Sequence, residues 1–553
     1  MPASSATSGS STTPPRRRLA GGLAGLLAGA AAVAVSEAVA ALTTGVTSPL
    51  LAVGNRAVDA TPRPLKELAI ETFGSNDKPV LIGGVVLTVA LLAILAGVAG
   101  VRRPRVALGA FLGLSAVAFV AAATDRTATA GVVLRVLPVV ALVVVGAVAL
   151  LLLLRALRTP PGSAPRRGDR AGTAPTGREG SAATTLPAHV EGDDLPSSFD
   201  RRGFLQAAVA VSAVAAGGGL VRQAFGGPAA ASSRADVVLP RAAVTAPRLA
   251  EGAMLDVPGI TPFLTANKDF YRVDTALSVP DVPIDGYTLR LHGMVDRELE
   301  LTYQDLLERR LVERRITLTC VSNPVGGRYV GNATWLGMPV RDLLEEAGVK
   351  DGADAVKSTS ADRMTIGTPL QALNDPGRDA LIAVAMNGEP LPLAHGFPVR
   401  MVVPGLYGYV SATKWLVDLE VTRFADFKAY WSTRGYSVKA PIKTSARIDV
   451  PRSFAQVRAG TKVPVAGVAW SQDRGIRAVE VRVDGGAWQE AELAAQDNID
   501  TWRQWVWTWE PEPGTHLLEV RATDETGSTQ TDRRAPVAPN GSTGWHSVNV
   551  TAT

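Results

Sequence analysis

The chain has 553 residues, of which 46% are hydrophobic and only 5% aromatic, and its formal net charge at pH 7 is +5. A single cysteine excludes an internal disulfide, and it also excludes an iron–sulfur cluster, which needs several thiolate ligands. The basic residues gather in short clusters beside apolar runs, so the positive charge favours orientation in a membrane over binding to nucleic acid.

Long apolar stretches dominate the first part of the chain, and each is close to the ~20 residues that a membrane-spanning helix needs. They are residues 19–42, 80–101, 106–123 and 132–154. A buried helical bundle in a soluble protein is the alternative, but nearly uncharged runs of this length are rare in soluble folds. The sequence therefore predicts an all-α transmembrane region of four spans within residues 1–157.

Arginine clusters flank these stretches at alternate ends. They are Arg16, Arg17 and Arg18 before the first stretch, Arg102, Arg103 and Arg105 between the second and third, and Arg155, Arg158, Arg166 and Arg167 after the fourth. If each stretch crosses once, all three clusters lie on one side, which the positive-inside rule makes the cytoplasm.

Residues 158–198 are rich in proline, glycine, serine and charge, and this composition predicts a disordered linker. In residues 199–225, Arg201 and Arg202 precede a Phe-Leu pair and a run of small apolar residues, the pattern of a twin-arginine export signal in an internal position. An ordinary fifth span is the alternative. Either interpretation predicts one more crossing, which places the rest of the chain on the extracytoplasmic side of the cell membrane.

The remainder of the chain has a globular mixture of charged and aromatic residues. Within residues 246–440, YTLRLHGMV alternates as a strand, whereas TYQDLLERRL and MPVRDLLEEAGV have helical periodicity. Gly348 after the second of these helices predicts a C-cap. Residues 443–553 contain short strands separated by turn signals, which predicts an immunoglobulin-like β-sandwich.

The only cysteine lies in RITLTCVSNPVGG, residues 315–327. Apolar residues alternate with threonines up to Cys320, which predicts a strand with one buried face, and the Asn-Pro and Gly-Gly pairs that follow predict a turn. A lone cysteine is more often a small buried hydrophobe than a ligand. One cysteine and five scattered histidines also offer no paired spacing for zinc.

Four stretches of this region form a recognisable set: DFYRVDTALSVPDVPIDGYTLRLHGMV, LTCVSNPVGGRYVGNATWLG, MNGEPLPLAHGFPVRMVVPGLYGYVSATKWL and VEVRVDGGAWQEAEL. Together they resemble the sulfite oxidase family of molybdopterin enzymes. The third is the most specific, because a His-Gly-x-Pro-x-Arg segment runs into Pro-Gly-x-x-Gly and Lys-Trp. The resemblance covers about residues 246–553 and implies an α+β molybdopterin-binding oxidoreductase domain followed by the sandwich.

The resemblance gives Cys320 a role as the direct protein ligand of molybdenum, with one molybdenum per chain. A soft thiolate suits a metal that the cofactor's dithiolene sulfurs already hold. The same resemblance implies that His395 and Arg400 contact the pterin. It also implies that backbone groups of Ser411, Ala412 and Thr413, with Lys414 beside them as a point charge, hold the phosphate of the cofactor.

Further roles come from the other matched segments. Tyr271, Arg272 and Asp274 match the N-terminal cofactor loop, in which Arg272 also faces the substrate. Asp362 matches an acidic pterin-binding residue, although Asp362 and Asp274 also fit as turn residues or helix caps. Tyr436 aligns with the active-site tyrosine of sulfite oxidases, and an exposed loop tyrosine is the alternative.

The implied reaction is oxygen-atom transfer to or from a small oxyanion, with oxidation of sulfite to sulfate as first choice. Sulfite oxidases often carry an arginine a few residues after the cysteine, where this chain has Pro324 and Val325, which makes Arg503 a candidate source of the missing charge. Reduction of S- or N-oxides such as methionine sulfoxide is the second enzymatic hypothesis. A non-catalytic membrane scaffold is the third hypothesis, and it belongs to a different class of function.

The histidine positions and the resemblance also lead to expectations about an electron-transfer partner and a second subunit. None of the five histidines lies in an apolar stretch, so we expect no haem in this chain, and electrons should leave through a separate cytochrome or quinone-linked protein. The histidines are His189, His292, His395, His516 and His546. In relatives the sandwich pairs two subunits, which implies a homodimer through residues 443–553.

Overall fold

The computed structural model describes residues 15–43, 45–62, 65, 72, 77–125, 127–128, 130–158, 201–225 and 229–553. The predicted linker lies outside the described residues from position 159 onward, and so do Arg166, Arg167 and His189. The chain divides into two compact units, Met1–Gly227 and Pro228–Thr553, and each is described by itself.

The first unit is helical. Its helices are α1 (Pro15–Ala41), α2 (Pro49–Ala60), α3 (Asp77–Gly100), α4 (Pro104–Ala123), α5 (Val132–Ala156) and α6 (Arg201–Phe225). Among the described residues, five helices are long and apolar enough to cross a membrane. They contain Arg17–Ala41, Lys78–Gly100, Pro104–Ala123, Val132–Ala156 and Arg202–Val221. The short helix α2 was not predicted from the sequence; the Ser48 side chain caps it by accepting the Leu51 N–H.

Glycines bring α1 and α3 into backbone contact. A Cβ added to Gly25 would overlap the carbonyl group of Ala93, and one added to Gly97 would overlap the carbonyl oxygen of Gly21. Such close approach through small residues is a common way for helices to pack in membranes, where little hydrophobic force acts between them.

Two connections of the first unit meet at one end of the helices. The Asn55 side chain in α2 donates to the Asp125 carboxylate at 3.3 Å, and the Ala130 N–H donates to the Gly45 carbonyl at 3.0 Å. Gly45, which follows α1, and Ala130, which follows α4, therefore lie on the same side of this unit. Helices α1, α3 and α4 would also place these two connections on one side if they crossed a membrane in alternating directions.

The second unit begins with α7 (Ala229–Ala235), before the expected domain start at residue 246. Its other helices are α8 (Tyr303–Glu308), α9 (Val340–Ala347) and α10 (Leu370–Asn374). Its first strands are β1 (Thr288–Gly293), β2 (Leu299–Thr302), β3 (Val312–Thr319), β4 (Val330–Pro339), β5 (Ala355–Ser360), β6 (Thr365–Pro369), β7 (Leu381–Met386), β8 (Glu389–Pro390), β9 (Arg400–Val402) and β10 (Leu416–Thr422). Helix α9 ends as predicted at Gly348, which adopts a left-handed conformation with φ of 68°.

These strands form two sheets. One has the strand order β2-β1-β10-β5-β6, and the other has the order β3-β4-β7-β8 with β9 paired to β7. Apolar side chains of α8, α9 and both sheets form one buried core, including Leu306, Leu343, Ile382 and Leu419. Strands β3 and β4 are antiparallel neighbours, so the segment that carries the cysteine joins two strands at the edge of the second sheet.

Residues 445–552 form the C-terminal β-domain. Its strands are β11 (Ser445–Val450), β12 (Ala455–Val457), β13 (Val463–Trp470), β14 (Ile476–Val483), β15 (Gln489–Glu490), β16 (Glu492–Leu493), β17 (Arg503–Trp509), β18 (Gly514–Asp524) and β19 (His546–Ala552). They pair as β11-β13-β17-β16 and as β12-β19-β18-β14-β15. Side chains from both sheets, such as Val465, Trp505 and Val520, form a second core. The prediction of a β-rich C-terminal region is confirmed, and its immunoglobulin-like character stays a prediction.

Candidate functional site

Cys320 directly follows β3 and is only 9% exposed. Its N–H donates to the Tyr329 carbonyl at 2.9 Å, and its carbonyl accepts from the Asn323 N–H at 3.0 Å. Burial raises the pKa of the thiol, although hydrogen bonds from Ser322 and the charge of Lys414 act in the opposite direction. The thiol is therefore protonated at neutral pH unless a metal replaces the proton.

Strand β3 is buried on both faces from Ile316 to Thr319, so the expectation of one buried face is wrong for the stretch that leads to Cys320. Thr317 and Thr319 are 0% and 2% exposed. The Thr317 N–H donates to the Asp500 carbonyl at 2.9 Å, and Gln472 donates to the Thr317 carbonyl at 2.8 Å. The C-terminal β-domain thus covers the free edge of β3 at Thr317, close to the cysteine, whereas Val244 pairs with the start of that edge at Val312.

The C-terminal β-domain also holds residues 320–329, which we call the cysteine loop. Ser542 donates to the Asn323 carbonyl at 2.8 Å, and Arg447 donates to the Gly327 carbonyl at 2.8 Å. The His546 ring packs against Gly326, where an added Cβ would overlap the imidazole. The sequence carried no signal for these contacts, because Ser542 and Asn323 are 219 positions apart.

We expect Gly326→Ala to loosen the cysteine loop. Gly326 has φ of +75°, and a Cβ would also meet the His546 ring, so the free energy of unfolding should fall by about 2–4 kcal/mol. All 10 tryptophans lie in the second unit, so tryptophan fluorescence during denaturation reports on that unit alone.

A matched control is Gly352→Ala, because Gly352 has a similar φ of +84° but open space around its Cβ position. The control should lose only ~1–2 kcal/mol. Since Cys320 is the only thiol, its alkylation rate in cofactor-free protein gives a second readout, and Gly326→Ala should raise it about tenfold. Equal effects of both substitutions would contradict the role given to His546.

Arg400 is a buried cation without a counterion. It is 5% exposed, it donates to the His395 carbonyl at 3.0 Å, and its guanidinium lies 4.9 Å from the centroid of the Trp335 ring. Its Nε has no hydrogen-bond partner, and no carboxylate among the described residues forms an ion pair with it. Burial lowers the pKa of Arg400 to about 10. Within the part of the chain that the structure describes, no anion compensates this charge, and a bound anion or strong acceptor would stabilise it.

His395 lies beside Arg400 and is neutral at physiological pH. It is 6% exposed, and its Nε2 lies 3.0 Å from the Asn267 carbonyl oxygen. Burial, followed by the charges of Arg400 and Lys414, lowers the pKa of His395 to about 4. Because Nε2 must donate to a carbonyl, the proton is on Nε2, and Nδ1 remains able to accept a hydrogen bond.

Asp274 joins two of the predicted basic residues. Its Oδ2 accepts from Arg272 Nε at 2.8 Å and from Lys414 Nζ at 2.9 Å, and its side chain is only 3% exposed. The Arg272 side chain is about one-third exposed, so part of it remains available to a ligand. Asp274 is therefore the centre of a charge cluster, and the alternative of a helix cap does not apply.

Tyr271 completes this group of neighbours. Its ring stacks on Phe270 at 5.2 Å between centroids. Burial raises the pKa of Tyr271, the negative charge of an ionised Cys320 raises it further, and Arg400 opposes both effects. The centroid of the Tyr271 ring lies 6.4 Å from that of Tyr329, whose carbonyl accepts the Cys320 N–H, and the Phe270 ring packs against His395 at 5.6 Å. The structure thus brings Cys320, Tyr271, Arg400, His395 and the Asp274 cluster into one region.

The turn at residues 411–413 is packed against β9, because the Met401 N–H donates to the Thr413 carbonyl at 2.9 Å. The N–H groups of Ser411 and Ala412 both donate to the Gly408 carbonyl. The Thr413 hydroxyl lies 2.6 Å from that of Ser358. Two of the three backbone donors are thus engaged within the turn, and phosphate binding here stays a prediction, with Lys414 as the adjacent cation.

Two other predicted residues lie in well-packed surroundings. Asp362 is 3% exposed and accepts the Met364 N–H at 3.2 Å in the turn between β5 and β6, so it has a turn role whether or not it binds pterin. Tyr436 is 9% exposed, and its ring packs against Tyr409 and Trp431 at 5.4 and 5.3 Å. The alternative of an exposed loop tyrosine is therefore wrong, and the catalytic role of Tyr436 stays a prediction.

Arg503 does not supply the missing charge. It begins β17, where its Nε donates to the Ala494 carbonyl at 2.7 Å and its Nη1 donates to the Ile476 carbonyl at 2.9 Å. Both partners belong to the C-terminal β-domain, so the guanidinium is committed there and not to the cysteine loop.

Comparison with known proteins places the chain in a family. Residues 276–431 match the oxidoreductase molybdopterin binding domain. The chain is 33% identical to chicken (Gallus gallus) sulfite oxidase over 337 residues, which cover 51% of this chain and 72% of that protein. The chain belongs to the sulfite oxidase family of molybdopterin-dependent oxidoreductases.

Two further comparisons give the extent of the similarity. Mitochondrial sulfite oxidase of the mouse (Mus musculus) is 29% identical over 343 residues, which cover 52% of this chain and 61% of the mouse protein. The solved structure of the sulfane dehydrogenase SoxCD from Paracoccus pantotrophus is 24% identical, with a TM-score of 0.47, and the match covers 53% of this chain and 82% of that chain.

Proposed function

We propose that this member of the sulfite oxidase family oxidises sulfite to sulfate with a bound molybdopterin cofactor that carries one molybdenum per chain. The buried, uncompensated guanidinium of Arg400 carries the proposal, because an anionic cofactor would supply the acceptors that the chain does not. Cys320 would ligate the metal, Arg400 and His395 would contact the pterin, and Lys414 would attract the phosphate. The bound group supplies the two-electron redox chemistry.

The residues of the chain have separate tasks around that group. Arg272 binds the anionic substrate, and Asp274 orients its guanidinium through the 2.8 Å ion pair. Neutral His395 accepts a hydrogen bond on Nδ1 while its Nε2 proton stays on the Asn267 carbonyl. Burial of Cys320 keeps water away from the ligand sulfur. Together these residues surround one reaction site with positive charge, which stabilises the negative charge of an oxyanion.

The test of substrate class is Arg272→Gln. We expect KM for sulfite to rise at least tenfold, which corresponds to about 1.4 kcal/mol, with a smaller change in kcat. Steady-state kinetics with an artificial electron acceptor measure both constants. The matched control is Arg290→Gln, which removes an exposed arginine with an ion pair of the same 2.8 Å length and should leave KM unchanged.

The second candidate is reduction of an S- or N-oxide. The observation in its favour is the loop after Cys320, where Pro324 and Val325 occupy the positions in which relatives often have an arginine. Sulfite turnover at background level together with rapid reduction of methionine sulfoxide would establish this alternative in place of sulfite oxidation. The non-catalytic scaffold is disfavoured by the site, since a scaffold has no need of a buried unpaired arginine beside a buried thiol.

We further propose that the catalytic unit lies on the extracytoplasmic side of the cell membrane, held by the helices of the first unit. The five long apolar helices and the arginine clusters at their ends support this orientation. Electrons then pass to a separate cytochrome or quinone-linked protein. The C-terminal β-domain, with its two packed sheets, is proposed to be immunoglobulin-like and to pair two subunits.

A further inference from the structure

A sequence typical of signal processing follows the twin-arginine-like segment. Secretory signals are cleaved after small residues in an Ala-x-Ala pattern. Ala229 and Ala231 have that spacing shortly after α6, so a signal peptidase that follows the rule would cut between Ala231 and Ser232. Cleavage there would detach the catalytic unit from every apolar helix of the first unit.

The structure places this sequence in α7, a folded part of the catalytic unit. The Asp281 carboxylate accepts the N–H of Ala229 at 3.0 Å through one oxygen and that of Ala230 at 2.7 Å through the other. The Ala230 side chain is 1% exposed and belongs to a core that also contains Ile316 and Leu391. The first turn of α7 is thus capped and packed at the same place.

The second half of α7 is attached as well. The Ser233 hydroxyl accepts the Ile284 N–H at 2.8 Å. Arg234 donates to the Leu391 carbonyl at 2.8 Å and to the Pro390 carbonyl at 2.7 Å, and it forms a 2.8 Å ion pair with Glu389. The scissile bond between Ala231 and Ser232 therefore lies between two attachment points.

From this geometry we infer that α7 conceals its own processing site, so that α6 stays covalently attached as a permanent anchor of the catalytic unit. A protease reaches a folded segment only through a locally opened state, and opening α7 breaks its cap, its buried alanine contact and the hydrogen bonds of Arg234. An exported domain that folds first would meet the peptidase with α7 already docked. The inference rests on the export step of the proposed function.

The experiment uses the full chain in a host that exports folded proteins through the twin-arginine route. Intact mass and N-terminal sequencing should find a single uncleaved species in the membrane fraction. Asp281→Ala removes the cap and should raise the fraction that begins at Ser232 at least tenfold. The control is Asp285→Ala, which changes a nearby exposed aspartate and should leave the chain uncleaved. Molybdenum content shows whether the Asp281 variant has folded.

A second variant leaves α7 intact. A flexible Gly-Ser segment containing a copy of residues 224–232 is inserted between Gly227 and Pro228. Cleavage in the inserted copy, with the native copy uncut, supports protection by docking. A wild-type chain that begins at Ser232, or an inserted copy that remains uncut in an exported chain, overturns the inference. Protease added to spheroplasts digests the catalytic unit only if that unit has been exported. This measurement tests the proposed orientation separately from the protection of α7, so the two failures are distinguishable.

Discussion

Cys320→Ser should lower kcat for sulfite by at least about a thousandfold, which corresponds to about 4 kcal/mol of activation free energy. The serine hydroxyl is a hard ligand that stays protonated, whereas the site requires a soft thiolate for molybdenum. Pterin should remain largely bound, because Arg400 and Lys414 are unaffected. Steady-state kinetics, elemental analysis for molybdenum and pterin fluorescence after release measure the three quantities.

Val321→Ala is the matched control, since Val321 is the next residue and is 4% exposed. It should cost about 1–3 kcal/mol of stability and change kcat less than threefold. Retention of more than a tenth of wild-type turnover by Cys320→Ser would exclude Cys320 as an essential ligand. Absence of molybdenum from wild-type protein made in a cofactor-competent host would exclude the proposed function altogether.

Arg400→Met should not lower the stability of the cofactor-free protein, but it should weaken binding of the cofactor. In cofactor-free protein, the free energy of unfolding should not fall and should rise by up to about 2 kcal/mol, because the substitution removes a buried charge that has no counterion. In a host that makes the cofactor, the molybdenum and pterin content of the purified protein should fall at least tenfold, or about 1.4 kcal/mol. Denaturation followed by tryptophan fluorescence and elemental analysis measure the two effects.

Arg315→Met provides the comparison. Arg315 forms a 2.6 Å ion pair with Asp497, and the two side chains are only 10% and 3% exposed. Its removal leaves the buried Asp497 carboxylate without its counterion, with only the Asn498 amide donating to it, and should cost about 3–5 kcal/mol, while cofactor content stays near that of the wild type. If Arg400→Met destabilised the cofactor-free protein as strongly as Arg315→Met, Arg400 would be a structural residue.

Local patterns in the sequence predicted several features correctly. The alternation before Cys320 predicted a strand that ends there, and β3 ends at Thr319. Gly348 predicted the end of α9, and runs of apolar residues predicted the long helices of the first unit. Each of these features depends on neighbours within a few positions, because strand alternation, helix capping and span length are local properties of the chain.

The candidate site residues were predicted by resemblance, and the structure adds how they interact. Nothing in the spacing of Arg272 and Lys414 indicates that both bind one carboxylate of Asp274. The lack of a carboxylate partner for Arg400 is likewise a property of packing. Ion pairs between distant residues depend on which backbone segments lie side by side, and the sequence of one chain does not state that.

The tertiary structure alone decided how the cysteine loop is held. The threonines of β3 looked solvent-facing, yet they are buried because the C-terminal β-domain covers the free edge of the strand. Arg503 looked available, yet backbone carbonyls of its own domain bind it. No pattern in the sequence indicated a role for Ser542 or Arg447, yet both donate hydrogen bonds to the cysteine loop. Periodicity describes what one segment can bury, and only the packing of segments far apart in sequence determines which partner covers it.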